Sequence, residues 1–182
     1  MDVITSHGVR WLCAFSLGLA SFGATATLCE SGKKQSPIDI TVSQPGRGGP
    51  LQFAYRPQGL KIANDGHTVR VRMASGSVLH IGPTRYALQQ FHFHTPGGDR
   101  IGGEEFPMAA HLLHKSDSGQ LLALVVLFRT GAENPLLKTL LPLIPAHSDG
   151  DHVYAGTEVN ASSLIPAIGA LRPTATSVTA AP

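Results

Sequence analysis

Three histidines in the middle of the chain have the type and spacing of a metal site. His92 and His94 are two residues apart, and His111 follows further along. Imidazole is a preferred zinc ligand, and a catalytic zinc takes three protein ligands and keeps one position open. On a strand, residues i and i+2 lie on one face about 6.8 Å apart, since the rise is about 3.4 Å per residue. We therefore expect His92 and His94 to point the same way, with Phe91 and Phe93 directed into a core.

Geometry alone leaves the third ligand of this site open. A neighbouring antiparallel strand can place a histidine opposite the first pair, and the connection from His94 to His111 is long enough to reverse the chain. His111 and His114 have odd spacing, so on a strand only one of them can join the pair. The alternative is a hydrogen-bonded or solvated histidine pair without metal. Three imidazoles on one face without carboxylate partners are, however, costly to satisfy in other ways.

The elements that must position these histidines are predicted to be short strands. Thirteen prolines and twenty glycines divide the chain into short apolar segments, a pattern that favours β structure. Strands are predicted over residues 60–62, 67–73, 78–81, 86–94, 108–114 and 121–128. The last run is continuously apolar, which suits a fully buried strand. A short helix over 136–141, opened by Asn134-Pro135, and one more short element within 159–165 complete the prediction.

The length and the charge of the chain limit the number of domains and the classes of partner that can be expected. The 182 residues fit one domain, and 42% apolar residues are enough to bury a core. Only 14% of the residues are charged, against about a quarter in an average protein. The net charge of +2 includes no basic block, so nothing points to a nucleic-acid partner. The oligomeric state is left open.

The first 26 residues have the pattern of an export signal. Arg10 precedes an apolar run from Trp11 to Phe22, which is too short to span about 30 Å of hydrocarbon, and Ala24-Thr25-Ala26 resembles a cleavage site. This predicts a periplasmic or secreted protein with no membrane segment after cleavage. Residues 27–171 are then expected to form the folded domain. Residues 172–182 are rich in Pro, Ala and Thr and are expected to form a disordered tail.

Five motifs in the right order resemble the α-class carbonic anhydrases, in particular their bacterial, periplasmic members. They are Gln35-Ser36-Pro37-Ile38-Asp39-Ile40, Asn64-Asp65-Gly66-His67-Thr68-Val69, the run from Tyr86 to His94, the run from Phe106 to His114, and Gly131-Ala132-Glu133-Asn134. The resemblance implies a mostly β fold, a twisted and largely antiparallel sheet with a few short helices. It also implies hydration of carbon dioxide to bicarbonate and a proton by hydroxide generated at Zn²⁺.

The resemblance assigns roles to individual residues. It makes His92, His94 and His111 the zinc ligands and leaves His114 a structural role. Gln90 matches an amide that orients the first of these ligands.

Three further positions carry implied roles. His67 matches the family's proton-shuttle histidine, a task that suits an imidazole. Leu113 and Ala123 match residues that line the carbon dioxide pocket, although both also fit an ordinary core.

The sequence also departs from the family pattern. Gly97-Gly98 replaces a Ser-Glu pair, and Ala109 replaces a glutamate that bonds the third ligand, so the orientation of His111 is expected to be less well fixed. A threonine-bearing C-terminal segment is not recognisable, and Cys29 lacks the disulfide partner which that segment carries. We therefore expect a domain truncated at both ends, with its sheet incomplete at the C-terminal side.

Four alternatives follow from these departures. The chain could bind zinc but catalyse poorly, or it could be a non-catalytic binding relative, although such relatives typically lose zinc ligands. It could be a cupin-like barrel, which also uses a His-x-His strand but needs a nearby glutamate that is absent. It could also be a non-functional gene fragment. Zinc binding and the rate of hydration are therefore separate questions.

Overall fold

The computed structural model describes residues 37–41, 50–146 and 150–166, which are predominantly strand. The predicted signal, the predicted tail and Cys29 lie outside this part of the chain. Eleven strands are described, listed here in chain order: β1 (Asp39–Ile40), β2 (Leu51–Ala54), β3 (Gln58–Asn64), β4 (Val69–Arg72), β5 (Val78–Ile81), β6 (Thr84–His94), β7 (Arg100–Ile101), β8 (Glu104–Glu105), β9 (Met108–Ser116), β10 (Leu121–Phe128) and β11 (His152–Val159).

One sheet dominates the fold. Its main path runs β10-β9-β6-β4-β3-β11, with β5 also pairing β6 and β2 pairing β5. Every pair in this sheet is antiparallel. A second, three-stranded sheet has the order β1-β7-β8, and its β1–β7 pair is parallel. The prediction of a mostly β, largely antiparallel fold is confirmed.

The helical segments are short. Helix α1 covers Pro135–Leu140, and Asn134 caps its first turn by accepting hydrogen bonds from the N–H groups of Leu136 and Leu137. Two 3₁₀ helices cover Leu141–Leu143 and Ala161–Leu164. None of the described helices is long and apolar enough to cross a membrane.

The core lies on one face of the large sheet. Strand β6 contributes Phe91 to it, and β9 contributes Leu112, both with no exposed surface. Helix α1 and the 3₁₀ helix at Ala161–Leu164 pack against the same cluster through Leu136, Leu140 and Leu164. Because side chains alternate along a strand, burying Phe91 and Leu112 leaves their neighbours on the opposite face.

Two features of the strands differ from the sequence-based expectations. Strand β10 has the predicted bounds, but it is not fully buried: Leu121 is 50% exposed and most of its residues are only half-buried. The reason is that β10 pairs with β9 alone among the described strands. The strands that were not predicted are β1, β2, β7, β8 and β11; β7 lies within the glycine-rich connection at residues 96–103, and β8 directly follows it.

Candidate metal site

Strand register brings the three predicted ligands together. Strands β6 and β9 are antiparallel, and His92 is directly opposite His111. Opposite residues of an antiparallel pair share a face, as do residues i and i+2 of one strand, so His94 joins them. His111 rather than His114 therefore completes the cluster, which settles the choice that the spacing had left open. His114 is instead opposite Leu88.

A β-bulge in β6 decides this register. The pairing shifts between Leu88 and Gln90, so Gln89 has no opposite residue in β9. Without the extra residue, His92 would be opposite Ala110 instead of His111. The bulge also explains how Leu88 and Phe91, at odd spacing, can both be buried.

The three imidazoles form a compact group. Ring centroids are 4.9 Å apart for His92 and His94, 5.4 Å for His92 and His111, and 4.6 Å for His94 and His111. One possible ligand atom from each ring lies within 4.8 Å of the others, and all three residues are half-buried. One ion with metal–nitrogen distances of about 2.0–2.1 Å fits between them after a small closing of the rings.

The surroundings of two of the rings, His92 and His111, favour their neutral form. Burial, together with the neighbouring His111, His94 and Arg70, lowers the pKa of His92 to about 4. Burial and His94 also lower the pKa of His111, against the opposing effect of Asp99. Neutral imidazole is the form that binds a metal, so the lowered pKa values of His92 and His111 reduce the competition from protons at these two ligands.

Two buried polar atoms beside the cluster test whether a metal fits. Nε2 of His111 and Oε1 of Gln90 have no hydrogen-bond partner among the described residues. A metal ligand needs one ring nitrogen for the ion and its other nitrogen for an acceptor, so an unpaired nitrogen and a nearby unpaired oxygen suit such a site. Three nitrogen donors without a carboxylate favour Zn²⁺ over Mg²⁺ or Ca²⁺. The residues present therefore fit a zinc ion.

The neighbourhood of His111 is more polar than the sequence indicated. Ala109 is fully buried and offers only a methyl group. However, Oδ2 of Asp99 lies 3.8 Å from Nε2 of His111, and both side chains are largely buried. The glutamate that the family places at position 109 is thus absent, as the sequence indicated, but a carboxylate from another part of the chain lies beside His111. Sequence reasoning gave Asp99 no part in the site, because it lies in a glycine-rich connection without a pattern.

Arg70 is a second residue that sequence reasoning missed. It is directly opposite His92 on β4, so its side chain is on the histidine face. Its Nε is buried and has no hydrogen-bond partner among the described residues. The alternation of residues 67–73 correctly placed Arg70 opposite to the core face, but only the pairing with β6 shows that this face carries the cluster.

Apolar residues continue the histidine face toward β10. Leu113 follows His111 at i+2 and is directly opposite Ala123. Val125 is directly opposite His111 itself. Leu113, Ala123 and Val125 are all half-buried, so they form an apolar surface beside the three imidazoles.

His67 is not a member of the three-histidine cluster. It is exposed in the turn between β3 and β4, where its N–H donates to Oδ1 of Asp65 at 3.0 Å. It lines a cavity of about 270 Å³ together with apolar residues of β6, β9 and α1, among them Phe93, Met108 and Leu140. None of the three clustered histidines lines this cavity.

Comparisons with known proteins agree with this geometry. The model of the eukaryotic-type carbonic anhydrase family matches residues 18–170. A carbonic anhydrase of Pectobacterium atrosepticum is 42% identical over 147 residues, which cover 79% of this chain and 60% of that protein. One from Neisseria gonorrhoeae is 35% identical over 140 residues, covering 76% of this chain and 55% of that one. The chain thus spans a little over half the length of these relatives.

Solved structures show the same fold. The α-carbonic anhydrase of Photobacterium profundum superposes with a TM-score of 0.69 at 30% identity, covering 86% of this chain and 72% of that one. The enzyme of Thermovibrio ammonificans, solved with the inhibitor sulfanilamide, also gives 0.69 at 30% identity and covers 76% and 62%. The chain belongs to the eukaryotic-type, or α-class, carbonic anhydrase family, and the cupin-like alternative is wrong.

Proposed function

We propose that the chain is a zinc-dependent carbonic anhydrase, which interconverts carbon dioxide and bicarbonate. The observation that carries the proposal is the convergence of His92, His94 and His111, with donor atoms within 4.8 Å of one another. Family membership supports the same activity. Zinc bound by these residues supplies a Lewis acid that lowers the pKa of water from about 15.7 to about 7, which makes hydroxide available at neutral pH.

The residues around the cluster have separate tasks in this proposal. The three imidazoles would hold the ion through ring nitrogens, and Oε1 of Gln90, on the same face as His92, would accept a hydrogen bond from the ring of His92 when the ion binds. Leu113 and Ala123, with Val125, exclude water from one side and offer an apolar surface to carbon dioxide, which has no net dipole. Arg70 adds positive charge on the opposite side, where it attracts bicarbonate.

His67 is assigned the transfer of the released proton to the solvent. It is exposed, and the two nitrogens of an imidazole allow it to accept a proton at one atom and release one at the other. Replacing it by alanine is expected to lower the hydration rate in dilute buffer, and added imidazole should restore the rate. An unchanged rate in dilute buffer would remove His67 from the proposal.

Stopped-flow measurement of carbon dioxide hydration by the zinc-loaded chain tests the function. We expect one zinc per chain and a rate far above the uncatalysed reaction. His94→Ala should abolish both, while His80→Ala, a matched change on β5, should leave both unchanged. Stoichiometric zinc without hydration would make the chain a zinc-binding relative only, and failure to bind zinc would overturn the metal site as well.

We also propose that the protein is exported. The apolar run from Trp11 to Phe22 and the small residues Ala24 and Ala26 support this. Expressed in a Gram-negative host, the protein should be recovered from the periplasm with an N-terminus that follows Ala26. An intact N-terminus in the cytoplasmic fraction would contradict the proposal.

A further inference from the structure

Asp99 is a buried carboxylate held in place by backbone hydrogen bonds. Only 3% of its surface is exposed, and its Oδ1 accepts the N–H of Ile38 at 2.8 Å. Its own N–H donates to the carbonyl of Gly97 at 3.0 Å, and the next N–H, of Arg100, donates to the carbonyl of Ile38 at 2.8 Å. Asp99 is therefore held by Ile38, the residue that precedes β1, and by the turn before β7.

The turn itself allows little movement. Gly97 is buried, and its N–H donates to the carbonyl of Phe106 at 2.9 Å. A Cβ at this position would lie 3.0 Å from that oxygen and 3.1 Å from the carbonyl carbon of Met108. Gly98 has a φ of +80°, a conformation that side chains other than glycine rarely adopt. The glycine pair thus lets the turn pack against the start of β9, and Asp99 emerges on the side of His111.

The second oxygen of Asp99 faces the third histidine of the cluster. Oδ2 lies 3.8 Å from Nε2 of His111, which is buried and has no hydrogen-bond partner among the described residues. A distance of 3.8 Å is longer than a hydrogen bond by almost 1 Å. A cation on the other ring nitrogen would polarise the Nε2–H group and attract the carboxylate, so both charges favour closing this gap.

We propose that Asp99 is the positioning residue for His111: it accepts the Nε2–H hydrogen bond and leaves Nδ1 for the metal ion. The inference rests on the proposed metal site and deepens it. Such a carboxylate–histidine pair fixes the tautomer and the direction of the ring, and it raises the basicity of the ligand nitrogen. Ala109, two residues before His111 on the same face, cannot supply this contact because its side chain is a methyl group.

Asp99→Asn separates this role from a purely structural one. The asparagine keeps an oxygen for the N–H of Ile38, but its amide group cannot accept a hydrogen bond from Nε2–H. We expect zinc affinity, measured by competition with a chromophoric chelator, to fall by about 10- to 100-fold. The visible absorption spectrum of the cobalt-substituted protein should shift, while urea unfolding of the metal-free protein should change little.

Two further variants sharpen the comparison. Asp39→Asn is the matched control, because the Oδ1 of Asp39 also accepts a backbone N–H, that of Gly103 at 3.0 Å, on the same small sheet. It should leave zinc affinity and the cobalt spectrum unchanged. Adding Ala109→Glu to Asp99→Asn supplies a carboxylate from β9, on the face of His111, and should recover most of the lost affinity.

Each outcome has a definite meaning. Zinc affinity of Asp99→Asn within twofold of the parent, with the same cobalt spectrum, overturns the role of Asp99 and leaves the proposed metal site intact. A parent chain that binds no zinc overturns both. If the variant does not fold, nitrogen–proton NMR correlation of the zinc-loaded parent decides: a slowly exchanging Nε2 proton on His111 supports the proposal, and a proton on Nδ1 overturns it.

Discussion

The hydroxyl of Tyr55 lies 2.7 Å from Nε2 of His114, and the two share a hydrogen bond inside the core. Their rings are nearly parallel, with centroids 5.9 Å apart. His114 has no exposed surface and Tyr55 is 8% exposed. Burial raises the pKa of Tyr55, so the phenol keeps its proton, and burial lowers the pKa of His114 to about 4, so the imidazole stays neutral. This hydrogen bond thus gives the Tyr55 hydroxyl and Nε2 of His114 a partner inside the core without introducing a charge.

Removing one partner should therefore destabilise the fold but leave the metal site intact. Tyr55→Phe keeps the ring and leaves Nε2 of His114 buried without its partner, which costs about 1–3 kcal/mol. Urea unfolding should show this loss, while zinc affinity should stay within twofold of the parent value. A large loss of zinc affinity with unchanged unfolding would contradict the assignment of His114 to the core.

The lowered pKa values make the stability of the metal-free protein depend on pH. In the fold the pKa of both His92 and His114 is about 4, against an ordinary value of 6.5. Between pH 6.5 and 4 the unfolded chain binds protons that the folded chain excludes, so the free energy of unfolding falls as the pH is lowered through this window. Above pH 6.5 these two groups contribute their full stabilisation.

Urea titrations of the metal-free protein at pH 7.5, 6 and 5 measure this dependence. We expect the midpoint to be lowest at pH 5. His114→Gln should reduce the difference between pH 7.5 and pH 5, because one of the two groups is removed. A midpoint that is independent of pH from 7.5 to 5 would show that neither imidazole is kept neutral by the fold.

The sequence predicted much of the sheet because its central strands have regular patterns. The bounds of β5 and β10 were predicted without error, since clear turn residues flank both runs. Strand β11 was missed because its sequence, His152–Val159, lacks an apolar alternation and contains Gly156 at a φ of +78°. Among the described strands β11 pairs with β3 alone, through backbone hydrogen bonds that leave little trace in side-chain type.

The site was predictable in part for a related physical reason. Because residues i and i+2 of a strand lie on the same face, the sequence alone is enough to place His92 beside His94. The third ligand depends on the register between β6 and β9, which a single extra residue at the bulge shifts by one position. Asp99 reaches the site through the packing of a turn rather than through strand periodicity. The signal that could have found Asp99 is the missing carboxylate at Ala109, which prompts a search for an acidic residue elsewhere in the sequence.

The close packing of the Gly97 turn predicts a steric effect. In Gly97→Ala the added Cβ would meet backbone atoms of Phe106 and Met108 at 3.0–3.1 Å, and backbone cannot move aside cheaply. We expect destabilisation by about 1–3 kcal/mol, together with weaker zinc binding if Asp99 is displaced. Gly59→Ala on β3 is the control, because nothing lies within 4 Å of its added Cβ. Equal unfolding midpoints for the two variants would contradict this packing argument.

The charge of Arg70 should affect anions bound at the metal site. Its guanidinium lowers the pKa of His92 from the opposite strand, so its positive charge is felt within the cluster. Arg70→Gln removes this charge while keeping a long polar side chain. The change should cost on the order of 1 kcal/mol of attraction to an anion, or about fivefold in affinity, at an intermediate effective dielectric.

Arg72→Gln is the matched control for this prediction. Arg72 lies two residues along the same strand, but its guanidinium pairs with Asp151, with Nε 2.8 Å from Oδ2. Thiocyanate inhibition of the zinc-loaded protein, measured at low and at high salt, compares the two variants. Arg70→Gln should weaken inhibition at low salt and approach the parent at high salt, since ions screen the charge. Because Arg72 is already neutralised by its partner, its loss should change inhibition less than twofold, and an equal effect of both substitutions would refute a specific role for Arg70.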